Sequence, residues 1–251
     1  MRRRLSAAVA AIALVVPVPG SADGSFGEEM VDLVDPMIGT MGAGFVFPGP
    51  AVPFGMVQLS PDTDGPTAYY TGYAYQDARI RGFSHVHTQS MGVPSSGEVP
   101  VMPTVGPVAT NVKTYQSTFQ KATERAWPGG YEVALDNGVR VELTAGLRTG
   151  LHRYTFPADR RANIVIDAGR TVAGGTLIGP DLQNDPGRAE ARLEHLPDGT
   201  VVGTVRPNAA GTREYTVFFA LRPSVAPDRF GIYRSRGGAP EEGADAGSNE
   251  R

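Results

Sequence analysis

The stretch from Tyr131 to Thr144 constrains the fold more than any other part of the chain. Tyr131-Glu132-Val133-Ala134-Leu135 alternates apolar and polar, Asp136-Asn137-Gly138 interrupts, and Val139-Arg140-Val141-Glu142-Leu143-Thr144 alternates again. Successive strand side chains point to opposite faces, so each run has one apolar and one polar face. Asn-Gly between two such runs predicts a tight hairpin with both central residues at φ > 0. A lone hairpin is at best marginally stable, so further strands must cover its apolar face. The sequence supplies them: Leu151 to Phe156, stopped by Pro157; Asn163 to Asp167, apolar enough to predict burial on both faces; Ala191 to Leu196 and Thr200 to Val205 around Pro197-Asp198-Gly199; and Glu214 to Leu221. No amphipathic segment of helical period is long enough to join parallel strands. The expected fold is all-β, an antiparallel β-sandwich.

The remaining segments are read by contrast. The 32 glycines and 21 prolines agree with frequent turns and short strands. From Val31 to Gly106 they interrupt short apolar pieces such as Met56-Val57-Gln58-Leu59, and Ser60-Pro61-Asp62-Thr63 reads as a turn. Ordered loops of this length cover a core or line a site. Residues 234–251 have no large apolar side chain. They predict a flexible tail, or a loop cut off from its next strand in an incomplete sandwich. At the other end, Arg2-Arg3-Arg4, an apolar run from Leu5 to Val16, and Ser21-Ala22 after Pro17, Pro19 and Gly20 form a signal peptide over residues 1–22. That run is too short for a stable membrane span, and it predicts a secreted or periplasmic protein. The β-sandwich domain is then expected over 23–233. With no cysteine, disulfides, thiolate zinc sites and a cysteine nucleophile are excluded. A net charge of −3 with dispersed positive charges argues against a nucleic-acid partner.

Two groups of residues carry candidate chemistry. On a strand from Phe83 to Thr88, the imidazoles of His85 and His87 would share a face. A metal would need a third ligand; Gln89 to Val93 hold none, and the nearest carboxylate is Glu98. Hydrogen bonding to a sugar or to neighbouring loops remains open for both histidines. Phe45, Phe47 and Phe54 flank the Pro48-Gly49 and Pro53-Phe54-Gly55 turns, where rings stack on sugars or enter the core. Gly39-Thr40-Met41-Gly42-Ala43-Gly44 runs into Phe45-Val46-Phe47-Pro48-Gly49, which cannot open a helix smoothly, so a phosphate loop is poorly supported and the stretch reads as tight turns and close backbone packing. Asp35, Asp62, Asp64, Glu98, Glu124, Glu132 and Asp167 include possible glycosidase pairs, but sequence supplies no distances. No Gly-x-Ser-x-Gly elbow is present.

Longer strings carry a resemblance. Val34-Asp35-Pro36-Met37-Ile38-Gly39-Thr40, Phe47 to Thr63, Gly82-Phe83-Ser84-His85-Val86-His87, Met102-Pro103-Thr104, Glu124 to Tyr131, Leu135 to Val139 and His152 to Pro157 occur in order. This series resembles the opening of family 92 α-mannosidases. Departures are the missing cysteine after the two histidines, Glu98 where aspartate is common, and Lys121 where histidine is usual. The resemblance implies a calcium-dependent exo-α-mannosidase that trims glycans with inversion. In such enzymes an N-terminal β-sandwich packs on a C-terminal (α/α)6 barrel holding the acid, the base and the calcium ligands. It therefore implies no catalytic residue, no metal ligand and no cofactor in this chain, with calcium expected for the complete enzyme. The implied partners are mannose-containing glycans and a barrel in cis or on a separate chain, without which this domain is inactive. His85, His87, Phe47, Gly49 and Phe54 are the candidate pocket-facing positions. Two other readings stand beside it: a free-standing carbohydrate-binding module, and a small metallo-enzyme built on His85 and His87.

Overall fold

The computed structural model describes residues 30–42, 45–64, 71–89, 97–171, 189–207, 215–233, 241–242 and 246–248. The expected signal peptide at 1–22 lies outside them. The chain divides into two compact units, Met1–Leu33 and Val34–Arg251. In the first, Leu33 N donates to Met30 O at 3.3 Å. The sheets and both cores belong to the second. Among the described residues no helix is long and apolar enough to cross a membrane.

In chain order the elements are β1 (Ser60–Thr63), β2 (Arg79–Ser84), β3 (Val101–Val105), the one-turn helix α1 (Val112–Tyr115), β4 (Ser117–Thr118) and β5 (Arg125–Trp127). Then come β6 (Gly130–Ala134), β7 (Arg140–Ala145), β8 (Gly150–Thr155), β9 (Ala162–Ile166) and β10 (Ala189–His195). The last are β11 (Val201–Pro207), β12 (Val217–Leu221), β13 (Gly231–Ile232), β14 (Glu241–Glu242) and β15 (Ala246–Ser248). One sheet has the order β1-β2-β3-β9, with β4 added to β2; a second is β5-β6-β7-β8; a third is β12-β11-β10-β15; β13 pairs β14. All pairings are antiparallel.

The first two sheets share the main core. Ile80, Phe83, Met102 and Val165 come from one, and Tyr131, Val133, Val141 and Leu143 from the other. Each such side chain removed from water contributes roughly 1.5–3 kcal/mol. A smaller core of Val99, Ala168, Ala189, Ala191 and Val205 joins the third sheet. On the solvent face of the second sheet, Arg125, Glu132, Glu142 and Arg153 stand in register across all four strands. Arg140 Nη2 lies 2.6 Å from Glu132 Oε2, and Arg153 Nε donates to Glu142 Oε2 at 2.6 Å.

Several elements depart from expectation. The Asp136–Gly138 turn closes with Gly138 N donating to Leu135 O (2.9 Å) and Leu135 N to Val139 O (2.9 Å). Gly138 alone in this turn has positive φ (93°). The connection is therefore a three-residue loop with its left-handed residue last, rather than a two-residue turn. Pro197-Asp198-Gly199 repeats this pattern, with Gly199 at φ 84°. Ser60–Thr63, read as a turn, is strand β1. It is the outermost strand of its sheet, where the missing N–H of Pro61 costs no ladder bond. β9 is buried only at Val165, and Ile164 is 44% exposed, so the strand is not covered on both faces. In the tail, backbone pairing at sheet edges forms β14 and β15, which requires no large apolar side chain.

Candidate functional site

The polar end of the first sheet gathers the two histidines. Strand β2 stops at Ser84, so His85 and His87 lie in the following loop and not on one strand face. Their imidazoles take separate partners. His87 is buried, and its Nδ1 lies 2.7 Å from the Gln58 carbonyl. Its Nε2 is 3.1 Å from both Asp62 Oδ1 and Ser84 Oγ, and Ser84 Oγ donates to the same Asp62 oxygen at 3.0 Å. Gly72 (φ 90°) presses on this group: a Cβ there would stand 2.5 Å from Asp62 Oδ1 and 2.9 Å from His87 Nε2. The Phe47 ring packs on His87 at a centroid distance of 5.3 Å.

Ser84, His87 and Asp62 together invite comparison with a nucleophilic triad, and the geometry excludes it. A triad carboxylate holds Nδ1 while the serine meets Nε2. Here serine and aspartate both meet Nε2, a backbone carbonyl occupies Nδ1, and the group is sealed from solvent.

His85 begins a directed hydrogen-bond chain. Its Nδ1 lies 2.8 Å from the Val99 carbonyl, an acceptor only, so this nitrogen carries the proton. Neutral His85 then accepts at Nε2 from His152 Nε2 (2.9 Å). His152 in turn accepts at Nδ1 from the Tyr154 hydroxyl (2.7 Å). The chain runs Tyr154 to His152 to His85 to Val99 and joins β8 of the second sheet to the end of the first. Close packing at Gly150, where a Cβ would lie 2.9 Å from His85 Cδ2, lets the rings meet. Val99 has φ 57°, an outlier for a β-branched residue, held by this bond from His85 and by His85 N donating to Glu98 O (3.1 Å). Glu98 is fully buried and accepts from Tyr215 Oη at 2.5 Å; burial pushes its carboxyl above the usual range.

Burial lowers the pKa of His85, and it lowers that of His152 well below the usual value, with the neighbouring His85 adding to the effect. Both bases therefore bind protons more weakly folded than unfolded. Their stabilising contribution is full above the unfolded histidine pKa of about 6.5 and is lost as pH falls below it. Glu98, with its raised pKa, acts in the opposite sense. The expected outcome is a Tm that drops from pH 7.5 to pH 5.0 in wild type and drops less in His152→Phe. Equal slopes for the two proteins in thermal melts would overturn this.

Of the sequence candidates, Phe47 and His87 meet directly, and His85 lies beside them on another network. Gly49 packs against β1: a Cβ there would fall 1.9 Å from the Leu59 carbonyl oxygen. Phe54 stands apart, fully exposed and at φ 58°, in a turn closed by Gly55 N donating to Val52 O (2.9 Å). Sequence reasoning does not single out Asp62, Ser84, His152 or Tyr154 as members of these networks. His152, Tyr154 and Phe156 alternate on one strand face, a pattern that pairs the two former side chains. Nothing local links Asp62 to residues 22 and 25 positions later.

A metal built on His85 and His87 does not fit, because all four ring nitrogens face protein partners. Among the described residues no group of three or more His, Cys, Asp or Glu side chains is placed to hold a metal ion. Calcium takes six to eight oxygen ligands, and these residues do not fit it. A concavity of about 2160 Å³ is bounded by His85, His152, Ile166, Arg170, Phe219 and Tyr233. It is an open trough between sheets, larger than the roughly 300–1,000 Å³ of small-molecule pockets.

Residues 33–250 match the family described as glycosyl hydrolase family 92 N-terminal domain. A family GH92 α-mannosidase from Bacteroides thetaiotaomicron, solved in complex with mannoimidazole, is 32% identical over 76% of this chain and 25% of its own, with a TM-score of 0.66. A family GH92 inverting mannosidase from Bacteroides thetaiotaomicron VPI-5482 is 25% identical over 87% of this chain and 28% of its own, with a TM-score of 0.72. An uncharacterized secreted glycosidase from Arthroderma benhamiae is 30% identical over 136 residues, 51% of this chain and 18% of that relative. The chain thus spans less than a third of the length of each of these proteins.

Proposed function

The chain belongs to the glycosyl hydrolase family 92 N-terminal domain family, and on that premise we propose that it is the N-terminal β-sandwich of a secreted α-mannosidase acting on terminal α-linked mannose of glycans. The observation that carries this reading is the family match over residues 33–250, coupled to structural likeness to mannosidases at 25–32% identity. Inverting hydrolysis needs an acid and a base with room for a water between them. The carboxylates at the polar end of the sandwich are poorly suited to it. Asp62 is sealed against Ser84 and His87, and Glu98 is buried under Tyr215. In this proposal both groups come from an (α/α)6 barrel in cis or on a separate chain. Calcium belongs to that complete enzyme, and the signal peptide at 1–22 directs export.

The contribution of these residues is to position groups. The Asp62–Ser84–His87 group fixes the loop after β2, and the His85–His152 pair fixes it against the second sheet. His85, Val86, Thr88 and Gln89 keep part of their surface open to a ligand or a neighbouring domain. The purified mature chain is expected to release no mannose from α-linked mannobiose, with or without calcium. Calcium-dependent release, with a contaminating mannosidase excluded, would show that this domain carries its own acid and base.

A further inference from the structure

The mannosidase reading gives no role to the segment between β4 and β5, where an ammonium group sits among aromatic rings. Lys121 opens the 3-10 turn Lys121–Thr123. Its Nζ stands 4.5 Å from the centroid of the Phe119 ring, 4.7 Å from that of Tyr75 and 5.0 Å from that of Tyr73. All three lie within the roughly 6 Å over which a ring face attracts a cation. The same Nζ donates at 2.9 Å to both the Tyr73 hydroxyl oxygen and Glu124 Oε2.

The walls of this cage are held by bonds that do not involve the lysine side chain. Tyr75 N donates to Thr40 O (2.9 Å), and Phe119 N donates to Ala78 O (3.2 Å). The Tyr131 hydroxyl holds the Glu124 carboxylate at 2.7 Å. Tyr73 and Phe119 are buried, and the Glu124 side chain is 1% exposed, whereas that of Lys121 is 29% exposed. The cage therefore opens to solvent along the lysine, whose flexible stem acts as a tether. Ring faces alone would take any cation. The two oxygens at 2.9 Å call for N–H donors, which a primary ammonium has and a quaternary one lacks.

We propose that Tyr73, Tyr75, Phe119 and Glu124 form a binding cage for a primary alkylammonium ion, with the Lys121 ammonium as its tethered, resident ligand. In the intact chain the tether gives this internal group the advantage over any free amine. The seated ligand locks the turn before β5 to the segment that carries Tyr73 and Tyr75.

The test removes the tether. Lys121→Ala deletes the atoms of an n-propylammonium ion. At matched chloride the variant should melt below wild type, and n-propylammonium should raise its Tm saturably, as a ligand of the folded state does. Wild type, whose cage is filled, should show no such rise. Nor should Lys121→Met, whose stem fills the cage without a charge. In isothermal titration Lys121→Ala should bind n-propylammonium at least ~10-fold more tightly than tetramethylammonium, which lacks the two charged hydrogen bonds. Propan-1-ol, of similar shape and no charge, should not bind. If Lys121→Ala is unfolded in chloride, n-propylammonium should restore its native circular dichroism. Equal rises in all three proteins would mark a general solvent effect and overturn the site. So would a Lys121→Ala protein that is neither bound nor refolded by n-propylammonium, or one that binds tetramethylammonium or propan-1-ol as tightly.

Discussion

Glu124→Ala is expected to destabilise the sandwich by about 3–5 kcal/mol, the scale of removing one partner from a buried charged network. The Glu124 side chain is 1% exposed. It accepts from the Tyr73 hydroxyl at 2.9 Å, the Tyr131 hydroxyl at 2.7 Å and Lys121 Nζ at 2.9 Å. Tyr73 and Tyr131 are completely buried, and burial together with the Glu124 charge raises both phenol pKa values, so each stays a donor. Alanine would leave two buried phenols without their acceptor and leave the Lys121 ammonium only the Tyr73 hydroxyl oxygen, at 2.9 Å. Lys121 Nζ also sits over the rings of Tyr75 and Phe119, which hold it in place without its carboxylate. Glu124→Gln keeps an acceptor and should lose less. Urea unfolding of the three proteins provides the check; a loss under ~1 kcal/mol for alanine would mean that water replaces the carboxylate at little cost.

Gly49→Ala should be comparably severe, above ~3 kcal/mol, by forcing apart two stretches of backbone. Its added carbon would meet the Leu59 carbonyl oxygen at 1.9 Å and Ser60 Cα at 2.7 Å. No rotamer change relieves a contact with main chain, and Leu59 N is tied to Pro50 O at 3.1 Å, so the β1 end cannot drift away alone. The expected drop in Tm is roughly 6–12 °C, from about 2–4 °C per kcal/mol for a domain of this size. A variant melting within ~2 °C of wild type would show that this approach of chains carries little stability.

How much of the fold is legible in the sequence depends on the range of the interactions. β6 and β7 depend on alternation within a few residues, and both strands appear where Tyr131–Leu135 and Val139–Thr144 place them. β8, β10, β11 and β12 likewise coincide with local apolar runs, within a few residues at their ends. β1 is hidden because Ser-Pro-Asp-Thr has turn composition, and only its place at a sheet edge makes a strand of it. The candidate site is partly visible. His85 and His87 stand out as a pair, but their separation onto two networks is set by Asp62, Val99 and His152, which contact them from 14 to 67 residues away. The cage around Lys121 gives no signal, since two of its rings come from Tyr73 and Tyr75, remote from it in sequence.

The charged row on the second sheet has a bearing on how that sheet chooses its alignment. A hydrophobic face alone tolerates sliding by two residues, which restores its pattern while displacing every cross-strand neighbour. The row Arg125, Glu132, Glu142 and Arg153 removes that freedom. A two-residue slip of β7 against β6 would move Glu142 away from Glu132 and dissolve the shared contact through Arg140. Each exposed pair is worth at most about 1 kcal/mol, so the row adds little to the depth of the native well. Its weight falls on the competing alignments: a slip at any one seam breaks the ion pair that spans it, Arg125 with Glu132, Arg140 with Glu132 or Arg153 with Glu142, and the solvent-facing charges thereby act as a ratchet that favours one pairing of the four strands.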